Sequence, residues 1–219
     1  MTPDYERAAI KATETLINHY IGTAPIDPLP ILKKTPGVLV LSFEEMSKKA
    51  NIDRKEIISM VGCENQDAVT TVYLDGEKVR YVVAYNRLLS SRIIDRALAR
   101  ELGHILLGHD GTRPESVRQE EAKCFAHHLL CPRPLIHSIQ ASGLRLTMEV
   151  FGNITGFGEH CLSCIRKQPP VHVSAELNRA VRDKFRDYIF NFFDFQRHAM
   201  HTDGSALADL GNYMEGYEE

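Results

Sequence analysis

The stretch from about Ser90 to Leu107 limits most what this chain can fold into. Its apolar residues recur at helical spacing, and Ser90 or Ser91 supplies an N-cap. Gly103 stands in its middle, where glycine costs about 1 kcal/mol relative to alanine. A helix that keeps a glycine there is expected to have a neighbouring backbone or side chain pressed close against it. Just upstream, residues 68–85 give the clearest hairpin signal: two β-rich arms flank Asp75-Gly76, a pair that tolerates positive φ in a tight turn. Downstream, a second long helix is predicted from about Ser116 to Leu130. Ala122, Phe125, Ala126, Leu129 and Leu130 form its apolar stripe, and Pro132 and Pro134 limit its extension.

The remaining pattern is mainly helical. An amphipathic helix is predicted over residues 4–21 and a short one from Leu29 to Thr35, with Pro28 at its entrance. "VLVLSF" reads as a strand, and the capping pattern Ser42-x-x-Glu45 opens one or two helical pieces before residue 60. Short helices are predicted at 134–142, at 147–152 and within 153–170. A final helix starts at about Ser174, and the acidic last 18 or so residues are expected to be mobile. These elements predict an α+β fold, a mostly helical body on a small sheet built from the 37–41 strand and the hairpin.

Composition removes several classes of function. At 219 residues the chain is long enough for one substantial core, and 43% hydrophobic with 25% charged is an ordinary globular balance. A formal net charge of -3 argues against a general nucleic-acid binder. No apolar run approaches the roughly 18 residues a membrane span needs. The N-terminal "MTPDYERAAI" lacks a signal peptide's apolar centre, and five cysteines is an odd number for a disulfide framework; both point to a cytoplasmic protein.

The long helix also carries chemistry. A zinc peptidase helix needs two histidines four residues apart and a glutamate after the first, to take a proton from metal-bound water. Here the string is Arg100-Glu101-Leu102-Gly103-His104. Glu101 fits the general base and His104 the second ligand. Arg100 occupies the first ligand position, and its guanidinium has no lone pair for a metal.

The hairpin, "ALARELGHILLGH" and "EEAKCFAHHLLCP" together resemble the ImmA/IrrE family of zinc metallopeptidase-like proteins. That resemblance covers about residues 1–135 and implies a zincin-like domain there, with 136–197 as a helical region packed on it and 198–219 as a flexible tail. It implies a third ligand three residues before Ala122, where this chain has Gln119 in place of glutamate; Lys123 also departs from the family pattern. Two ligand positions, Arg100 and Gln119, are thus degenerate. Glu120, next to the third position, is the nearest improvised ligand. His109, five residues after His104, would point away if the helix continued. A polar network of Arg100, Gln119 and Glu120 or Glu121 is expected to replace the ion, with His104 as a buried, hydrogen-bonded histidine.

The resemblance implies a regulatory or interaction protein acting with a helix-turn-helix repressor of a mobile element or phage. The first reading is a peptidase-like protein without a cofactor. The alternative is an active zinc endopeptidase using Glu101 as base with His104 and Glu120 as ligands. Cys161 and Cys164 read first as small core thiols and second as half of a structural metal site. The aromatic run "YIFNFFDF", residues 188–195, is expected to dock between lobes or to support a homo-oligomer or partner interface.

Overall fold

The computed structural model describes residues 1–19, 22–60, 67–76, 78–141, 147–158 and 170–201. Its element order is α1 (Tyr5–His19), α2 (Leu29–Lys34), β1 (Val38–Ser42), α3 (Phe43–Ala50), α4 (Arg54–Met60), β2 (Ala68–Asp75), β3 (Lys78–Tyr85), α5 (Ser91–Leu106), α6 (Glu115–Leu130), α7 (Arg133–Ala141), α8 (Met148–Thr155), α9 (Ala175–Lys184) and α10 (Arg186–His201). The expected α+β architecture is present, a mostly helical body with one small sheet. No helix among the described residues is long and apolar enough to cross a membrane. Cys161, Cys164 and residues 202–219 lie outside the described residues.

The hairpin turns at Asp75-Gly76, where Gly76 takes φ 62°, and β2 pairs antiparallel with β3 from Ala68↔Tyr85 to Asp75↔Lys78. β1 joins the other side of β3 in parallel, Val38↔Tyr81 to Ser42↔Tyr85, giving the order β1-β3-β2. Central β3 buries Val83 and Ala84, while β2 is exposed from Thr71 onward. The partial alternation of the arms has this cause: only the inner half of the hairpin has a body to face. At the end of β1, Ser42 starts α3 with the predicted reciprocal cap. Its Oγ accepts from the Glu45 N–H at 3.2 Å, and Glu45 Oε2 accepts from the Ser42 N–H at 2.7 Å.

One apolar cluster joins α1, α5, α6 and α9, through residues such as Ala12, Leu98, Phe125 and Val181. Gly103 lies where α5 meets α6. A Cβ there would stand 3.0 Å from Phe125 Cδ1 and 3.2 Å from Phe125 Cβ, so the close neighbour is the Phe125 side chain.

The chain's end differs from expectation. In place of one helix from Ser174, two helices meet at Phe185 (φ -99°, ψ 10°). The Phe185 ring is fully buried, and its N–H bonds to both Val181 O and Asp183 O, a tightened last turn that directs the ring into the core. The 147–152 helix runs on to Thr155. It is capped by Thr147 at its start and by left-handed Gly156, φ 70°, at its end.

Candidate functional site

The site begins with how α5 ends. Gly108 takes φ 64°, its N–H bonds to Ile105 O at 3.1 Å, and the His109 N–H bonds to His104 O at 3.0 Å. This is a Schellman termination, in which the residues at the two outer positions commonly touch. Those residues are His104 and His109. Their rings meet edge to face, 4.9 Å between centroids, with the two Nδ1 atoms 2.9 Å apart. The expectation that His109 points away required a continuing helix. The helix stops, and Gly108 folds His109 back onto His104.

From His109 the contacts run on into α6. His109 Nε2 lies 2.9 Å from Glu121 Oε2, which also accepts from Arg113 at 2.8 Å. Glu121 Oε1 accepts from the Asp4 N–H at 2.7 Å, just before α1. The His109 and Glu121 side chains are each 1% exposed, so this carboxylate depends on its three partners in place of water. An ionised carboxylate only accepts, so His109 Nε2 carries the proton it donates. Its Nδ1 then accepts from His104 Nδ1–H, and His104 Nε2 keeps a lone pair. Burial drives both histidines toward this neutral state. His104 is pushed down to about 4 by burial, then by His109, Arg118 and Arg100, against an opposing hydrogen bond with Gln119. His109 is also pushed down by burial, against Glu121.

The residues singled out in the sequence divide between this network and the surface. Gln119 contacts His104. Arg100 turns elsewhere, to Asp67 Oδ2 at 3.8 Å, with both side chains about one-third exposed. Glu120 pairs with Lys123 at 2.7 Å on the exposed side of α6. Glu121, one residue on, falls on the buried stripe with Val117, Cys124, Phe125 and His128. Of the network expected from the sequence, Gln119 and Glu121 join His104, His109 and Arg113, whereas Arg100 and Glu120 do not take part. Glu101 is placed apart: its Oε2 accepts from Thr70 Oγ1 of β2 at 2.7 Å. Burial raises its pKa, opposed by the Thr70 hydrogen bond and by Arg100.

The donor chemistry does not suit a zinc ion held in the family's manner. Of the three ligand positions, His104 carries a good donor, Gln119 offers only a neutral amide, and Arg100 has none. Glu121 and His109 are spent on one another in a line rather than converging on a point. Among the described residues, no three His, Cys, Asp or Glu side chains are grouped to hold a metal. Cys124 and Cys131 are buried free thiols, pushed by burial up to about 12, which keeps them protonated and inert.

Sequence reasoning missed His109, Arg113, Asp4 and Thr70 as members of the site. The "LLGH" ending of α5 signalled the first, because a glycine at the C′ position reverses the chain. Nothing local signals Asp4 or Thr70, which arrive from distant elements.

The hairpin, the glycine-bearing helix and its partner all fall within one stretch of the chain, residues 60–162. Residues 60–162 match the family model described as the IrrE N-terminal-like domain, Peptidase M78. This match covers just under half of the chain and agrees with the resemblance to the ImmA/IrrE family. No curated protein and no solved structure matches the chain.

Proposed function

We propose that this chain is a peptidase-like regulatory or interaction protein with a degenerate metal site. The observation that carries this reading is the line Gln119–His104–His109–Glu121–Arg113, which joins α5 to α6 and engages both His104 and Gln119, the side chains at two of the three ligand positions. Arg100, at the first ligand position, offers a charge to Asp67 and no lone pair to a cation. The two helices are stapled by hydrogen bonds, and the domain acts by binding. A helix-turn-helix repressor of a mobile element is the proposed partner, since proteins of the resembled family act beside such repressors.

Metal analysis of the untagged full chain tests this directly. The expected result is zinc far below about one equivalent, and a melting temperature unchanged by chelator. Arg100→His with Gln119→Glu is then expected to create zinc binding. About one equivalent of zinc that disappears in His104→Ala overturns the reading.

One observation favours an active zinc endopeptidase instead. Glu101 is a buried carboxyl with a raised pKa, as a general base needs. On that reading His104 and Glu120 are the ligands, which requires Glu120 to leave Lys123 and swing round α6. Repressor cleavage abolished by both chelator and Glu101→Gln establishes it.

A further inference from the structure

A cavity of about 220 Å³ lies among α1, the first turn of α7, α9 and residues 171–173, and shares no residue with the His104–Glu121 network. Arg133, Arg182, His128, His137 and His172 line it, with no aspartate or glutamate among the described lining residues. Neither arginine has an ion-pair partner among the described residues. One exposed arginine without a carboxylate is ordinary on a protein surface. Two on the wall of one cavity without an acid concentrate fixed positive charge, since guanidinium stays protonated in proteins. Arg133 is also the first residue of α7, between Pro132 and Pro134, which carry no N–H, and the Leu135 and Ile136 N–H groups already bond to Pro132 O at 3.0 and 3.2 Å, so the positive charge here comes from the side chains. His128, 8% exposed, supplies an imidazole from α6.

Size and charge narrow the ligand. The volume falls below the roughly 300–1,000 Å³ of sites for drug-sized molecules, so it suits one anionic group with a small remainder. Two fixed positive charges match a phosphate monoester, which carries about -1.5 to -2 at neutral pH, better than a monocarboxylate. Guanidinium forks pair with its oxygens bidentately. We propose that this cavity binds a small phosphate monoester, gripped by Arg133 and Arg182 at the first turn of α7.

Calorimetric titration of the full chain with inorganic phosphate and with glycerol 3-phosphate, at constant ionic strength in chloride, tests the proposal. Saturable one-to-one binding is expected. Arg133→Gln and Arg182→Gln should each weaken it by about tenfold or more, and Lys49→Gln should leave it unchanged. Both arginines are exposed, so the variants should melt with the parent. Phosphorus NMR line broadening on the unaltered chain gives a second readout that needs no variant. The proposal is overturned by absent saturation up to roughly 10 mM in both measurements, or by equal binding in the double arginine variant. It is also overturned if malonate binds as tightly, or if only phosphatidic acid vesicles bind and soluble phosphates do not.

Discussion

Glu121 shows how much one buried carboxylate can hold. It joins the start of α1, the loop after α5 and α6 itself, through Asp4, His109 and Arg113. Glu121→Ala leaves an amide, an imidazole and a guanidinium without their acceptor, and is expected to cost about 3–5 kcal/mol in urea unfolding. Glu121→Gln keeps an acceptor for the Asp4 N–H and should cost less; equal stability of the parent and both variants would show that the network carries no load. A second buried side chain makes a pH prediction. His128 is pushed down to about 4 by burial, and then by Arg133, from its ordinary value of 6.5. Between those values the unfolded chain binds a proton that the folded chain refuses. Its contribution is therefore complete above pH 6.5 and lost as pH falls toward 4. Asp95, raised by burial to about 6 from 3.8, has the opposite sign over an overlapping range, so the parent alone does not isolate the histidine. In His128→Leu, the slope of stability against pH in that window should fall by up to about 1.4 kcal/mol per unit. An unchanged slope in phosphate-free buffer refutes the assignment. At this scale the sequence was half legible. Glu101 and His104 stood out by spacing, whereas choosing between Glu120 and Glu121 needed the buried face of α6, which neighbouring residues leave open by one step of about 100°.

Elements were read more securely than residues, because periodicity and punctuation are local. The Asp75-Gly76 turn, the Ser42 capping box and the glycine in α5 each act within a few residues of themselves. Gly103 gives the sharpest case. Alanine there gains about 1 kcal/mol of helix propensity, which alone predicts stabilisation. Its Cβ would stand 3.0–3.2 Å from three atoms of Phe125, one of them Phe125 Cβ, so turning the ring cannot relieve the contact and the helices must separate. Overpacking of this kind costs about 1–3 kcal/mol, so Gly103→Ala is expected to be net destabilising in chemical denaturation. Phe125→Ala, which removes two of the three close atoms, should lower the penalty of Gly103→Ala, giving a favourable coupling in the double-mutant cycle. Additive losses would place the strain elsewhere. The break at Phe185 escaped the sequence for a physical reason. "RAVRDKFRDYIF" keeps helical spacing throughout, and only the demand of the core for a buried Phe185 ring shows where the last turn tightens.

At the scale of the molecule, the family match and the folding unit have different limits. Residues 60–162 contain the hairpin, α5 and α6, but much of what closes them comes from earlier in the chain. β1 pairs with β3 from Tyr81 to Tyr85, and without it the sheet is a two-stranded hairpin, marginal in water. α1 buries Ala8, Ala12 and Leu16 in the same core as α5 and α6. It is tied to them by polar contacts as well. Arg7 donates to Leu107 O at 2.6 Å, taking up a carbonyl at the end of α5, and Cys124 Sγ lies 3.5 Å from Tyr5 O. Small alanines along α1 let its backbone approach, so the helix works as a lid over the helix pair. A fragment of residues 60–162 would expose that apolar seam and leave Glu121 without its Asp4 partner. The expectation is a fragment that melts without a cooperative transition and shows narrow amide dispersion in NMR, while residues 1–201 unfold in one step. Residues 1–59 added in trans should restore dispersion if the missing α1 and β1 surfaces are the cause. A fragment that is cooperative alone would make α1 an accessory, and the Asp4–Glu121 contact would then be a consequence of the fold rather than one of its supports.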